Sequence, residues 1–496
     1  MISVNKLIAA VAAAVLIITC AGCKESYQEA IIYFELPARP QTLDPQTASS
    51  DSELLIVKNI YEGLFRKNAS GAIVCGAAES FTFENLTYTF TLREDAVWSN
   101  GYPVTAEDFV FGLRRAVSPE TEAPFASRLF CIQNAESIYN GKASADTLGV
   151  SAPDARTLVI KLSKNDEHFQ DTLASSVAMP CNQRFFTEAA GKYGLTSEYT
   201  ISNGSYQLTK WTSNEDSFGI RLYKNDDYSG SMSAKNYAAF LTCDDEETAL
   251  EKLNKNSIDI AFIDASLSEQ AEKDGFKLIS YENICWILTL DSDFSANLRK
   301  SLAMLIGSEV FGNDLKPGYS AADSLYPAAV NENATPSGMT FYNLTAAKEL
   351  FEQEIDKLPE KKFPSDIKLY YYDNGVIKPV ITDIVGHWQN NLGAFVNIES
   401  VDSPEKLLSQ LTEQTYNMAV FPIRAESPDI SEYLENFGII ADGKNPDELQ
   451  AEILKDNYIV PIAFQNTTIA YSDSLNDVYT ELGNGYVDFS FIVKTE

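Results

Sequence analysis

Along this chain, stretches with apolar residues at every second position alternate with stretches in which they recur every third or fourth. Thr87 to Arg93 sets Tyr88, Phe90 and Leu92 on one side, the pattern of a half-buried strand. Ser52 to Phe65 instead carries Leu54, Leu55, Val57, Ile60 and Leu64 at helical spacing. The alternation continues, with Ala30 to Leu36, Thr157 to Leu162, Phe218 to Tyr223, Ile258 to Ile263, Ile367 to Tyr372 and Phe395 to Ile398 reading as strands. A helix is expected after Thr105, which with Asp108 three residues on makes an N-cap pattern, through Ala116. Another starts at Thr345, and a third carries Val380, Ile381, Ile384, Val385 and Trp388 on one face until Asn390-Asn391-Leu392-Gly393 stops it. Strands interleaved with helices predict an α/β architecture with mixed sheets. At 496 residues the chain exceeds what one hydrophobic core supports, so two or three lobes are expected. Lys357 to Ser365, charged and carrying Pro359 and Pro364, reads as a surface connection.

Residues 1–22 stand apart from this pattern. Lys6 precedes an uncharged apolar run from Leu7 to Ile18, and Ala21-Gly22-Cys23 gives the small-small-Cys ending of a bacterial lipoprotein signal. A thioether-linked lipid at Cys23 would then tether the exported chain to the outer face of the cell membrane. Each buried methylene contributes about 0.8 kcal/mol, and stable anchoring takes more than one acyl chain. An ordinary cleaved signal and an uncleaved anchor are the alternatives, although the run is short for a spanning helix. No later stretch approaches the roughly 20 apolar residues of a transmembrane helix. The expectation is a soluble monomeric body on a lipid tether.

A net charge of −32 repels phosphate backbones and argues against nucleic acid as a partner. Cys75, Cys131, Cys181, Cys243 and Cys285 are odd in number, widely spaced and without a C-x-x-C pair. They indicate neither a disulfide framework nor a zinc site, and buried thiols are expected, with one bridge left open. The two histidines, His168 and His387, have no His or Cys at ligand spacing, so no metal is expected. H-E-x-x-H, G-x-S-x-G, the phosphate-loop pattern and G-x-G-x-x-G are all missing from the sequence. With 70 carboxylates some chance pairs must occur, and none stands out. No cofactor is implied and no enzyme is expected.

Several segments resemble the family 5 extracellular solute-binding proteins, the group that includes oligopeptide- and dipeptide-binding proteins. Leu92-Arg93-Glu94-Asp95-Ala96-Val97-Trp98-Ser99-Asn100-Gly101-Tyr102-Pro103-Val104-Thr105-Ala106-Glu107-Asp108-Phe109 is similar to the family signature almost throughout. Thr42-Leu43-Asp44-Pro45, Tyr61-Glu62-Gly63-Leu64, Leu148-Gly149-Val150, Asn203-Gly204-Ser205-Tyr206, Ile258-Asp259-Ile260 and Ile459-Val460-Pro461-Ile462 match further landmarks in order.

The resemblance implies a bilobal clamp of the type II periplasmic-binding-protein kind with an additional middle lobe. Lobe I would comprise 23–64, 193–285 and 458–496, lobe II 65–192, and lobe III 286–457. It also implies a peptide or peptide-like ligand held between lobes I and III for an ABC permease and ATPase complex. Matched residue by residue, Ser49, Ser50 and Asp51 fall on a ligand-facing segment of lobe I, Phe262 and Asp264 on another, and Phe421 on a strand of lobe III. Ala425-Glu426-Ser427-Pro428-Asp429 resembles the run that holds a peptide's α-ammonium, which places Glu426 there with Arg424 close by. A same-family receptor for an oligosaccharide, opine or chelated metal, a surface hydrolase, and a sensory or adhesion protein are the other readings.

Overall fold

A computed structural model of the chain describes residues 30–495 except 167, 215–216, 243–247, 312–314, 359, 374–375, 402–406, 408–417, 426–429, 436, 440–443 and 481–486. In chain order, strand β1 is Ile31–Leu36 and helix α1 is Asp51–Ile60. Next come β2 (Ala78–Glu84), β3 (Thr87–Leu92), α2 (Ala106–Val117), β4 (Val150–Ser151) and β5 (Thr157–Lys161). They are followed by β6 (Tyr206–Asn214), β7 (Ser217–Lys224), β8 (Tyr237–Thr242), β9 (Ile260–Ile263), β10 (Lys277–Thr289) and β11 (Tyr319–Ala321). The last are α3 (Leu344–Ile355), β12 (Lys368–Tyr372), α4 (Ile377–Leu392), β13 (Asn397–Val401), β14 (Met418–Arg424), α5 (Pro446–Leu454) and β15 (Ile459–Tyr471).

One mixed sheet runs through the molecule in the order β13-β12-β14-β10-β15-β9-β1-β8-β7-β6, with β11 pairing beside β15. The two 13-residue strands β10 and β15 belong to both halves of it. Their far ends, Lys277 to Glu282 opposite Asn466 to Tyr471, continue into β9 and β1. Their near ends, Ile284 to Thr289 opposite Ile459 to Gln465, pair onward with β14. The register shifts between Glu282 and Ile284, where the sheet passes from one half to the other. A bulge of this kind bends and twists a ladder locally.

Period-two burial explains why both faces of the second half are covered. Ile284, Trp286 and Leu288 enter one core with Met418, Val420 and Trp388. Cys285 and Ile287 enter another, on the opposite face, with Ala419, Phe421 and Tyr433. A strand buried on both faces reads as a continuous apolar run, as Ile284 to Leu288 does. The largest core joins Phe34, Leu55, Phe240 and Phe489 of the first half to the residues of a separate four-stranded sheet, β2-β3-β5-β4, and to Phe109, Leu113 and Trp98.

Most expected elements are present with shifted ends. The first helix stops at Ile60, not Phe65, because Tyr61 turns extended and the chain then lies against 76–78, with Gly76 N–H donating to Leu64 O and Ala77 N–H to Gly63 O. A Cβ on Gly63 would stand 2.7 Å from Leu173 O, so this passage admits only glycine. The third helix begins at Leu344, one residue before Thr345, because the Asn343 side chain caps it by accepting from Ala346 N–H at 3.0 Å. Gly393 ends α4 in the left-handed conformation, as its sequence predicted. The strand expected from Phe395 starts at Asn397.

Candidate functional site

Strands β1 and β9 run parallel, so their carboxyl ends share one edge of the sheet. From that edge the chain proceeds through 37–50 into α1 after β1, and into Asp264 after β9. In the other half β12 is parallel to both β13 and β14, so Arg424, the last residue of β14, lies at the carboxyl edge of that half. Open α/β sheets bind ligands outside the carboxyl ends of their strands. The two edges meet through an ion pair, in which Arg424 Nη1 donates to Asp51 Oδ2.

Local chemistry explains how Asp51 is presented. Ser50 is the N-cap of α1 and Glu53 completes a capping box with it. The Glu53 carboxylate, buried, accepts from Gln41 N–H at 2.8 Å, Thr42 N–H at 3.2 Å, Ser49 N–H at 2.9 Å and Ser50 N–H at 3.1 Å. It thereby folds the 41–50 loop onto the helix start and leaves Asp51, the first helical residue, facing the other half. Asp51 and Arg424 are half-buried, with side chains 37% and 34% exposed. Among the described residues the Arg424 side chain makes no other hydrogen bond or ion pair.

Tyr281 of β10 lies three residues along the strand from Ile284, the register partner of Arg424. Its hydroxyl is enclosed and has no hydrogen-bond partner among the described residues. Burial drives its phenol well above the ordinary value, the Arg424 charge pulls it back, and the Asp51 charge adds to the rise. Two residues along the strand is Asn283, fully buried at the bulge, whose Oδ1 accepts from Thr467 Oγ1 at 2.7 Å and whose carbonyl accepts from Ala425 N–H at 2.8 Å. Ala425 follows β14 directly, so the bulge and the strand end that presents Arg424 are tied together.

The other residues singled out from the sequence occupy varied places. Ser49 is exposed. Asp264 is exposed, one step beyond the row Ile263–Thr468–Ser280, and its carboxylate accepts from Ser266 N–H at 2.8 Å. Phe262 packs edge-to-face on Phe34 at 5.8 Å, and the Phe421 side chain is in the core that also holds Tyr433. Glu426 and Cys23 lie outside the described residues. Tyr281 gave no sequence signal, since it sits in an ordinary strand pattern. Arg424 did give one, as the single charge ending the run Met418 to Ile423, but its partner is 373 residues away in sequence.

The sequence landmarks build the scaffold around this edge. Asp44 pairs with Arg115 of α2 at 2.6 Å, and Asp108 caps α2 while accepting from Trp98 Nε1 at 3.1 Å. Glu62 accepts from Arg93 Nη2 at 2.8 Å and from Tyr228 Oη at 2.5 Å, with Arg66 at 3.6 Å. Asn203 holds both backbone groups of Glu62, and a Cβ on Gly204 would stand 2.9 Å from Ile60 C. A cavity of about 320 Å³ opens elsewhere, among Ile306, Met339, Phe341 and the landmark residues Ile459 and Pro461, and none of the residues expected to face a ligand lines it. Among the described residues no group of three His, Cys, Asp or Glu side chains could hold a metal. Cys131, Cys181 and Cys285 are buried free thiols, and burial pushes that of Cys181 up to about 12.

The dipeptide-binding protein DppE of Bacillus subtilis (strain 168) is 26% identical over 388 residues, spanning 75% of this chain and 70% of that protein. The periplasmic murein peptide-binding protein MppA of Escherichia coli (strain K12) is 28% identical over 377 residues, 73% of this chain and 69% of its own. Among solved structures, Listeria monocytogenes OppA bound to peptide matches with a TM-score of 0.77 at 23% identity, covering 95% of this chain and 100% of that one. The unliganded open form of MppA, the periplasmic murein tripeptide-binding protein, matches at 0.68 and 21% identity, covering 94% and 98%. These neighbours share the type II periplasmic-binding-protein fold seen here. The family description "Bacterial extracellular solute-binding proteins, family 5 Middle" matches residues 72–445, and the chain therefore belongs to that family of solute receptors, which are not enzymes.

Proposed function

We propose that this chain is the lipid-anchored, extracellular receptor of an ABC importer and captures peptides by closing lobe I (23–64, 193–285, 458–496) against lobe III (286–457). Lobe II (65–192) packs beside lobe I, in keeping with the single core that unites their residues. The observation that carries the reading is the Asp51–Arg424 contact between the carboxyl edges of the two halves of the sheet. It puts charged groups from both at the place where a ligand touching both would favour closure, and only differential affinity for the closed state shifts that equilibrium. The relatives named for dipeptides, oligopeptides and murein peptides support a peptide ligand. Glu426 is the proposed partner of the peptide's α-ammonium, through charge-assisted hydrogen bonds. Cys23 is the proposed lipidation site, and among the described residues no helix is long and apolar enough to cross a membrane.

Calorimetry of the mature protein with short peptides and their N-acetylated forms tests the reading. Tighter binding of the free peptides, lost in Glu426→Gln, is expected; failure of every peptide to bind would remove the peptide assignment. In cell fractionation, Cys23→Ser is expected to release the protein from membranes with binding intact, and retention would contradict the anchor.

A second reading has its own observation. A relative described as a probable deoxycholate-binding periplasmic protein of Escherichia coli (strain K12) is 32% identical over 239 residues, 47% of this chain and 44% of its own. A non-peptide organic anion is therefore the alternative ligand, and mass spectrometry of the molecule that co-purifies with the protein separates the two.

A further inference from the structure

Among the described residues, the cation at the meeting of the two sheet edges is only partly used. A guanidinium carries five N–H donors in a planar fork, and Arg424 spends Nη1 on a single oxygen of Asp51. Nε and Nη2 make no bond among the described residues, and the side chain keeps about a third of its surface exposed. Near it the Tyr281 hydroxyl is enclosed without a partner among the described residues, although burying a polar group unpaired is costly. An unspent guanidinium edge and an unspent hydroxyl, adjacent and at the ligand-facing edge, together match a planar anion with two acceptor oxygens.

We infer that Arg424 and Tyr281 form a subsite for a ligand carboxylate, with Arg424 giving the charge and a pair of hydrogen bonds and Tyr281 a third. Asp51 is a positioning residue. Its one-oxygen contact holds Nη1 and neutralises the guanidinium in the empty clamp, and leaves Nε and Nη2 for the ligand. A carboxylate bound there is held by β10 and β14, and through Asp51 it is coupled to α1 in the other half, so loading and closure are linked. Asp51 also repels a carboxylate that approaches on its own side, which restricts entry to the open edge.

The inference deepens the peptide reading, in which the carboxylate is the peptide's C-terminus or an acidic side chain, but it does not stand or fall with peptides. Calorimetry with trialanine, trialanine amide, Ala-Glu-Ala amide and deoxycholate distinguishes the cases. Because hydrogen bonds to charged groups are strong, removing the acceptor is expected to weaken binding by about 10- to 100-fold. If the C-terminus occupies the subsite, trialanine binds that much more tightly than its amide; if a side chain does, Ala-Glu-Ala amide exceeds trialanine amide. Arg424→Gln erases whichever difference exists, Arg424→Lys restores part of it, and Tyr281→Phe reduces it without abolishing it. Asp51→Asn loosens the closed clamp and so lowers the affinity of carboxylate and amide forms alike, leaving the preference for carboxylate in place, as expected of a group that does not touch the ligand. Deoxycholate binding that depends on Arg424, with no peptide bound, upholds the carboxylate subsite and overturns the peptide assignment. Peptides that bind equally well with and without a carboxylate overturn the subsite and leave the peptide assignment standing. Binding of none of the four overturns both. A matching thermal melt for Arg424→Gln and Arg424→Lys excludes unfolding as the cause.

Discussion

Glu62 shows what a single side chain does for this fold. Its carboxylate is 3% exposed and meets Arg93, Arg66 and the Tyr228 hydroxyl, joining the end of α1 to residues of three other segments. Removing one member of a buried charged group leaves the others uncompensated, so Glu62→Gln is expected to cost about 3–5 kcal/mol. Asp95, 59% exposed and paired with the same Arg93, is the control, and Asp95→Asn should cost about 0–1 kcal/mol in the same urea titration. Lys58 supplies a test in pH. Burial lowers it from 10.5 to about 7, against the opposing pull of Asp488. Between those values the unfolded chain keeps a proton that the folded chain has shed, so stability rises with pH there. The penalty of housing the ammonium is thus full below pH about 7 and fades towards 10. Lys58→Met is expected to stabilise by about 1–3 kcal/mol at pH 6 and by almost nothing at pH 10. A gain that does not change with pH would show that the ammonium is not the source.

At the scale of elements, two glycines make the same substitution carry opposite signs. Gly204 passes the end of α1 so closely that an added methyl group would stand 2.9 Å from Ile60 C and 3.0 Å from its carbonyl oxygen, backbone that cannot step aside. Gly204→Ala is expected to destabilise by about 1–3 kcal/mol. Gly386 lies inside α4 with nothing within 4 Å of the added carbon, so Gly386→Ala should stabilise by about 0.5–1 kcal/mol through helix propensity. Thermal melts of the two variants check both signs. The bulge at Asn283 is the corresponding device in the sheet. Thr467→Val would remove the hydroxyl that donates to its buried Oδ1, at a cost of about 1–3 kcal/mol, and loosen the strand end that presents Arg424.

For the whole molecule, the two halves share β10 and β15 and touch again at the Asp51–Arg424 pair. A half-exposed ion pair is worth about 0–1 kcal/mol, enough to shift an open–closed equilibrium by a few-fold and no more. Asp51→Asn, or salt near 1 M, is therefore expected to enlarge the radius of gyration of the empty protein in small-angle scattering, and ligand to restore the compact value. An empty protein unaffected by either change would show that the pair does not hold the halves together.

Periodicity in the sequence was enough to specify the α/β class and most element cores, because alternating and helical spacings reflect which side of a local segment must leave water. The ends of those elements were not specified that way. Helix α1 stops at Ile60 because of the chain packed against Gly63, and α3 starts where Asn343 can cap it. Landmark spacing marked the 49–51 segment and Phe421 alike, and only the structure shows that the Phe421 side chain packs in a core. A strand's alternation does not say which of its two faces lines a cleft when both are covered. The pairing of Arg424 with Asp51, and the enclosure of the Tyr281 hydroxyl beside them, were decided by the tertiary structure alone. Three short segments hundreds of residues apart meet only when the parallel strands align their carboxyl ends, and such long-range closure leaves no trace in local sequence.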